Sequence, residues 1–387
     1  MEETTRRYPR LRIEGSPRMQ GQQYGEQARD RVQRSRSAYE EVFGYYARWT
    51  WPKVTEEAQR FLAPIEDFGR DYAEEMRGIA EGAALPFEDI LALNVRTEVM
   101  FAAKARHALA QMPRRAECTS FAVLPDANID GHALIGQNWD WLLHAFDTVV
   151  VLEAKQEAKP NYVTVVEAGL LAKTGMNSAG IGLATNALVS DRDCGEPGVP
   201  YHVLLRAILD AETITGAICK LQANVRSSSA NFLVASDEGV ALDIEGTPGD
   251  FGSLRTLTPN RGAILHTNHL LAEHASVKDI SLWAMPGSSV RLQRACRLLE
   301  TAAELSPSTL QQLLADHADH PWSICCHADP KQVRLDQGAT VASIVMDLNA
   351  RHLWLADGQP CSVPYRELDY SDFLEKDTPN PSGEPHV

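Results

Sequence analysis

The chain has 387 residues, of which 44% are hydrophobic, and 52 acidic against 37 basic side chains give a formal net charge of -15. This length and composition suffice for a large buried core in one or two domains. The acidic balance lacks the basic footprint that binding to a nucleic-acid backbone requires, so the sequence predicts no nucleic-acid partner.

Membrane insertion and secretion are not expected either. No segment approaches the ~20 consecutive apolar residues that span a bilayer, and the N-terminal residues lack the apolar core of a secretory signal. Seven cysteines, an odd number spread over a long chain, favour reduced thiols over a disulfide framework. We therefore expect a cytoplasmic protein with no membrane partner.

The first part of the chain, up to residue 117, is predicted to be mostly helical. After an extended start over residues 1–16, helical patterns cover about 22–49, 55–83 and 85–106. A polar, basic stretch from Arg106 to Arg115 contains Pro113 and is predicted to be a loop.

Beyond residue 117 the pattern changes to strands separated by helices. Apolar runs typical of strands cover 148–153, 162–167, 181–186, 231–235, 240–244, 263–266, 339–348 and 352–356. Helical patterns cover about 201–209, 213–221, 288–303 and 307–317. Blocks of strands separated by pairs of helices predict a layered α+β fold.

The most informative stretch lies between Arg114 and Trp141. Two short apolar runs, 121–124 and 133–135, are separated by turn residues, which predicts a β-hairpin. Cys118 opens the first strand and Asp140 closes the second, so the hairpin brings the two ends close together. A thiol at a strand start that faces Asn and Asp side chains is a candidate nucleophile, although most cysteines in strands are small buried apolar residues.

Several motifs of the second part occur in the same order in a known family. They are Cys118-Thr119-Ser120, GQNWD over 136–140, TGMNSAGIG over 174–182, HTNH over 266–269, SIC over 323–325 and TVASIVMD over 340–347. Together they extend over most of the region from Cys118 to Cys361. In these motifs the chain resembles the acyl-CoA:6-aminopenicillanic acid acyltransferase family, which belongs to the N-terminal-nucleophile hydrolases.

The resemblance implies a fold and a processing step. The fold would be a four-layer αββα sandwich with a helical N-terminal segment. Cleavage between Glu117 and Cys118 would give an α chain of residues 1–117 and a catalytic β chain of residues 118–387, which together form one structural domain. The Cys118 thiol would attack the Glu117 carbonyl. The released α-amine, with a reference pKa of ~8, would then act as the base for its own thiol.

Further site residues follow from residue type and from the same resemblance. Asn268 follows a strand and is expected to donate to the oxyanion of a tetrahedral intermediate, although an Asn there can also cap a turn. Asp140 is expected to orient the Cys118 amine or neighbouring donors, although an Asp there can also belong to a turn or cap a helix. The residues expected to line the substrate pocket are Thr119, Ser120, Asn138, Trp139, Asn177, Ser178 and Arg291, with Trp141 and Phe146 as further apolar candidates.

The sequence predicts no metal and no cofactor. Histidine and cysteine side chains form two groups, His266 with His269 and His274, and His317 with His320, Cys325, Cys326 and His327. Neither group has the spacing of a recognised zinc motif. The glycines of residues 175–182 lack the spacing of a nucleotide-binding loop.

We predict an autoprocessing N-terminal-cysteine amidohydrolase or acyltransferase. Its substrate would be a small N-acyl amide or an acyl thioester, acyl-CoA included, whose acyl group passes through a thioester on Cys118. Two alternatives stay open: a non-catalytic or metal-binding protein on the same scaffold, and an uncleaved hydrolase in which a histidine is the base for Cys118. Whether the protein is a homo-oligomer is also open.

Overall fold

The computed structural model describes residues 7–106, 117–275 and 277–376. The loop predicted over residues 106–115 lies outside this part of the chain, except that Arg106 is the last residue of a helix. None of the described helices is long and apolar enough to cross a membrane.

The described residues before Cys118 are mostly helical, as predicted. Its helices are α1 (Pro17–Gln27), α2 (Arg29–Tyr46), α3 (Trp51–Ala58), α4 (Leu62–Phe68), α5 (Arg70–Ala83), α6 (Phe87–Asn94) and α7 (Arg96–Arg106). The long helix expected over 22–49 is divided at Ala28 into α1 and α2. The helix expected over 55–83 is divided at Gly69, between α4 and α5. Glycine has a low helix propensity, which explains the second break.

The strands of the described residues form two sheets. The eight-stranded sheet has the order β1 (Arg10–Glu14), β4 (Val149–Lys155), β5 (Tyr162–Glu167), β6 (Thr174–Asn177), β7 (Ile181–Ala187), β8 (Ala230–Ser236), β9 (Val240–Gly246) and β10 (Leu254–Leu257). The six-stranded sheet has the order β11 (Ala263–His266), β2 (Cys118–Val123), β3 (Leu134–Leu142), β12 (Gly338–Asp347), β13 (His352–Ala356) and β14 (Arg366–Asp369). Because β1 precedes Cys118 and pairs with β4, the parts of the chain on either side of Cys118 share one sheet.

The remaining helices are α8 (Tyr201–Leu209), α9 (Ile214–Gln222), α10 (Ser281–Ala284), α11 (Ser288–Thr301) and α12 (Pro307–Leu314). The sheets are stacked face to face, and helices cover both outer faces. In β4, Val150 and Leu152 pack under the N-terminal helices, whereas Val149 and Val151 pack between the sheets. Period-two alternation with both faces buried produces the unbroken apolar runs read in the sequence. The predicted αββα order is therefore confirmed.

The predicted hairpin is formed by β2 and β3. Cys118 lies opposite Trp139, and the backbone N–H of Asp140 donates to the carbonyl of Glu117 at 3.0 Å, which extends the pairing by one residue. On its other side β3 pairs with β12, and this pairing has a register shift between Thr340 and Ala342. Such irregularities are common beside active sites because they redirect a side chain.

Helices α1 and α5 pack so closely that glycines are required at their contact. A methyl group on Gly78 would overlap with the carbonyl oxygen of Arg18, whereas one on Gly44 of α2 would meet nothing within 4 Å. We expect Gly78→Ala to lower the free energy of unfolding by about 1–3 kcal/mol, because overpacking forces backbone shifts. Gly44→Ala should leave it unchanged or raise it by up to about 1 kcal/mol. Urea unfolding of both variants tests this, and equal stabilities would contradict the packing.

Candidate active site

The Cys118 thiol lies between the two sheets, in the wall of a small internal cavity. Cys118 is 3% exposed, and the cavity has a volume of about 70 Å³. Burial raises the pKa of the thiol above its usual value, and the positive charge of Lys173 opposes that shift. The negative charge of Asp140 adds to the rise, whereas its backbone N–H opposes it.

Both sides of the peptide bond between Glu117 and Cys118 are held by hydrogen bonds. The carbonyl oxygen of Glu117 accepts from the backbone N–H of Asp140 at 3.0 Å. The N–H of Cys118 donates to Oδ1 of Asn268 at 2.7 Å. The residues expected on either side of a cleavage point thus lie with Asp140 and Asn268 around one buried peptide group.

Asn268 is next to Cys118, but its orientation differs from the one predicted. Its Oδ1 accepts from both Cys118 and Arg291, the latter at 3.0 Å, and its Nδ2 donates to the carbonyl of Ala187 at 2.9 Å. In this state the amide is an acceptor towards Cys118 and does not offer a free donor to an oxyanion. The hydroxyl of Ser288 fixes this position by accepting from the Asn268 backbone N–H at 2.7 Å.

Arg291 is 1% exposed and reaches the site from helix α11. Its Nη1 donates to the carbonyl of Cys118 at 2.7 Å and to the hydroxyl of Thr119 at 2.9 Å. Its Nη2 lies 2.9 Å from the carboxylate of Glu117. Arg291 and Thr119 therefore lie at the peptide between Glu117 and Cys118, which they support from the helix side of the sheet.

Asp140 has one engaged and one unpaired carboxylate oxygen. Its Oδ1 accepts from the hydroxyl of Thr340 at 2.6 Å, while its buried Oδ2 has no partner among the described residues. Burial raises the pKa of this carboxyl to about 7, although the positive charge of Arg291 opposes the rise. A carboxyl group with this pKa can accept or release a proton near neutral pH.

Six of the seven residues predicted for the pocket are not in the cavity wall. Two of them, Thr119 and Arg291, lie at the Cys118 peptide instead, and the remaining four pack elsewhere. They are Ser120, Asn138, Asn177 and Ser178. Asn138 alternates with Trp139 along β3, so it faces the helices, where it donates to the carbonyls of Leu314 and Ile324.

The other three have structural partners as well. Asn177 binds the carbonyls of Leu209 and Ala211, and Ser178 accepts from the Asn161 backbone. Ser120 donates to Asn186. Phe146, a further apolar candidate, is also absent from the cavity wall, whereas Trp139 and Trp141 are in it.

Lys173 is the principal site residue that the sequence analysis missed. It is buried, lines the cavity, and holds its Nζ 4.9 Å from the ring centroid of Trp139. Within the described ranges its ammonium group has no hydrogen-bond acceptor and no carboxylate partner. The available signal was its position in the apolar run Leu170-Leu171-Ala172-Lys173, since a buried lysine is rare without a role.

A second buried cation, Arg96, lines the same cavity. One of its nitrogens lies 3.4 Å from the carboxylate of Glu167, while Nε and Nη1 have no hydrogen-bond partner among the described residues. The remaining wall is largely apolar and aromatic, formed by residues that include Val42, Phe43 and Met285. The cavity therefore combines an apolar lining with positive charge close to the thiol.

A histidine does not pair with Cys118 among the described residues. His266 binds Glu245 at 2.9 Å, and His269 binds the hydroxyl of Ser288 at 2.7 Å. His202 lines the cavity, but its Nδ1 is directed at the carbonyl of Ala172. Burial, together with the charges of Arg96 and Lys173, lowers the pKa of His202 well below its usual value. In the part of the chain that the structure describes, no histidine is placed to act as the base for Cys118.

Comparisons with known proteins agree with the family that the sequence motifs indicate. The family model of acyl-coenzyme A:6-aminopenicillanic acid acyl-transferase matches residues 127–362. The 40 kDa form of acyl-coenzyme A:6-aminopenicillanic-acid-acyltransferase from Emericella nidulans is 27% identical over 315 residues, which are 80% of this chain and 82% of that protein.

Solved structures similar to the chain include a bile acid hydrolase and a penicillin acylase. The R18L variant of conjugated bile acid hydrolase from Clostridium perfringens matches with 14% identity and a TM-score of 0.48, over 67% of this chain and 95% of that one. Penicillin V acylase from Agrobacterium tumefaciens matches with 15% identity and a TM-score of 0.41, over 67% and 89%. The family model covers more than half of the sequence, and the chain belongs to the acyl-coenzyme A:6-aminopenicillanic acid acyltransferase family.

Proposed function

We propose that the protein is an autoprocessing N-terminal-cysteine amidohydrolase or acyltransferase. It cleaves itself between Glu117 and Cys118 and then hydrolyses or transfers the acyl group of a small N-acyl amide or acyl thioester. The observation that carries this proposal is the set of hydrogen bonds to the peptide between these two residues. Family membership supports acyl chemistry, because the Emericella relative is named for an acyl-coenzyme A reaction.

Processing begins when the Cys118 sulfur attacks the Glu117 carbonyl carbon. The Asp140 N–H, already bonded to that carbonyl oxygen, stabilises the negative charge that develops there. The C–N bond then breaks, the nitrogen takes up the proton that the thiol releases, and a thioester joins the two residues. Water hydrolyses the thioester, which leaves a carboxylate on Glu117 and a free thiol and amine on Cys118.

Turnover of substrate uses the same sulfur with a new base. The free α-amine of Cys118, with a reference pKa of ~8, takes the proton of its own thiol. The thiolate attacks the substrate carbonyl carbon, and the amine returns the proton to the leaving amine or thiol. The acyl group stays on Cys118 as a thioester until water or an acceptor amine attacks it. Asn268 holds the α-amine through Oδ1, and a role as oxyanion donor would require its amide to reorient.

The cavity supports a compact apolar acyl group. Its volume of about 70 Å³ is roughly half the ~150 Å³ of an engineered cavity that holds benzene. Apolar and aromatic side chains dominate its wall, as in most small-molecule sites. A short acyl chain fits these dimensions, and the leaving group would extend out of the cavity.

The proposal also covers the organisation of the mature enzyme. Residues 1–117 would form the α chain and residues 118–387 the catalytic β chain, and pairing of β1 with β4 would keep the two together after cleavage. A cytoplasmic location is part of the proposal and is supported by seven cysteines without a disulfide.

The first test is intact-mass spectrometry of the purified protein. We expect the wild type to separate into two chains, the larger beginning at Cys118, because the thiol is the nucleophile of cleavage. Cys118→Ala should remain a single chain. Asn268→Ala should accumulate the uncut chain, since the Cys118 nitrogen then loses its acceptor.

Cys194→Ser is the matched control, because Cys194 is exposed and distant in sequence from the site. This variant should be cut like the wild type. A wild-type protein that stays intact while it hydrolyses N-acyl amides would exclude autoprocessing and leave the cysteine hydrolase reading in place. An intact and inactive wild type would overturn the proposed function as a whole.

The second test concerns the charge of Lys173. Its ammonium group lowers the pKa of the Cys118 thiol, so Lys173→Met removes that effect and raises the pKa. At neutral pH we expect the thiolate fraction, and with it the rate of Cys118 alkylation, to fall on the order of tenfold. The rate should recover as the pH is raised, because the thiol then ionises without the lysine.

Alkylation of the Cys118 peptide is followed by mass spectrometry between pH 6 and pH 10. Lys220→Met, at an exposed lysine of α9, serves as control and should leave the pH profile unchanged. Lys173→Arg should restore most of the rate at neutral pH. A Lys173→Met profile that coincides with the wild type at every pH would show that the lysine has no influence on the thiol.

A further inference from the structure

A second cluster of reactive side chains lies in loops next to the six-stranded sheet, away from the Cys118 cavity. It consists of His317, which follows α12, Cys325 and His327, which precede β12, and Cys361, which follows β13. One ligand atom from each of these four residues lies within 4.8 Å of all the others. Three separated segments of the chain thus converge on one point.

Hydrogen bonding alone cannot account for this convergence. Nε2 of His327 lies 3.1 Å from Nε2 of His317, 3.5 Å from Sγ of Cys325 and 3.4 Å from Sγ of Cys361. An imidazole nitrogen carries either one hydrogen or one lone pair, so it can form one good hydrogen bond at a time. Three close polar neighbours around one nitrogen are more than this hydrogen bonding can satisfy. The arrangement therefore favours an ion bound between the four ligand atoms.

The distances from His327 to the other three ligand atoms are close to those of a tetrahedral metal site. Zinc binds nitrogen at about 2.0–2.1 Å and thiolate sulfur at about 2.3 Å, which separates the ligand atoms of a tetrahedron by roughly 3.3–3.8 Å. The three distances to His327 range from 3.1 to 3.5 Å. Two imidazoles and two thiolates form the Cys₂His₂ donor set that is typical of structural zinc.

We propose that His317, Cys325, His327 and Cys361 bind one zinc ion. All four coordination positions come from the protein, which leaves none for substrate or a reactive water. The role of the ion is therefore to hold the three loops together. The proposal is independent of catalysis by Cys118.

The zinc site would stabilise the loop of residues 324–327, which is hydrogen-bonded to β3 and β12. Cys326, between two of the ligands, donates through its backbone N–H to the hydroxyl of Thr340 at 2.9 Å. That hydroxyl donates to Asp140 at 2.6 Å. Ile324, just before the first thiolate ligand, accepts from Asn138 of β3 at 2.8 Å. Loss of the metal should therefore loosen the support of Asp140 as well as the loop.

The competing arrangement is a disulfide between Cys325 and Cys361. Both thiols are free in this structure, and their sulfurs are among the atoms within 4.8 Å of one another. A disulfide would consume both thiolates and leave the two histidines without their metal. The two arrangements exclude each other, so one set of measurements separates them.

The test is elemental analysis of the full-length protein, produced with Zn²⁺ in the medium and purified under mild reducing conditions. We expect one zinc per protein molecule, counting the α and β chains together, in the wild type and in Cys118→Ala. We expect none in Cys361→Ser or His327→Asn. Cys219→Ser, at another exposed cysteine, is the matched control and should keep its zinc. Zinc retained by Cys361→Ser and His327→Asn would place the metal elsewhere and overturn the site.

A measurement on the unaltered chain covers the case in which the ligand variants fail to fold. Zinc is removed from the wild type with a chelator, and Co²⁺ is added. We expect the visible absorption of tetrahedral Co²⁺ with thiolate charge-transfer bands, and a lower melting temperature of the stripped protein that Zn²⁺ restores. Absence of zinc together with absence of these bands would overturn the proposal, as would a Cys325–Cys361 disulfide found by non-reducing peptide mapping.

Discussion

The arrangement around Cys118 depends on one buried guanidinium group. Arg291 projects from α11 through the helix-facing side of the six-stranded sheet and contacts Glu117, Cys118, Thr119 and Asn268. A buried cation is stable only when its neighbours supply acceptors. The contacts of the two terminal nitrogens of Arg291 therefore also fix the peptide between Glu117 and Cys118 against the Asn268 amide. Helix α11, which is remote in sequence from Cys118, thus sets the geometry of the peptide for which we propose cleavage.

The features that the sequence could predict are those encoded within a few residues. Turn residues between two apolar runs predict the hairpin that brings Cys118 to Asp140, and both ends are where the pattern placed them. Unbroken apolar runs indicate strands with both faces buried, such as β4. The order of the four layers required the family resemblance, because long-range packing of two sheets leaves no local signature. Arg291, too, could be assigned only through the resemblance.

The errors concern residues whose role depends on which face of a strand they occupy or on distant partners. Asn138 is a polar residue next to Trp139 in the GQNWD motif, but period-two alternation turns it away from the cavity. It donates there to the carbonyl of Leu314 in α12 and to that of Ile324 in a loop. Lys173 was missed because its nearness to Cys118 exists only after the two sheets have stacked. The nearness of Cys361 to His327 was missed because 34 residues separate them, and a cluster assembled from three loops has no fixed spacing.

In the uncut chain a buried carboxylate oxygen near Cys118 has no hydrogen-bond partner among the described residues, and cleavage would add a new polar group to this region. Oδ2 of Asp140 is buried without a partner in the described chain, and an unpaired buried acceptor costs about 1–3 kcal/mol. The proposed reaction creates a new donor at this strand end, the α-amine of Cys118, whose nitrogen already faces the Asn268 oxygen. In its protonated form this amine would lower the pKa of both Asp140 and the thiol, because an opposite charge favours each ionised form. The proposed cleavage would therefore supply the amine that the proposed turnover needs as its base.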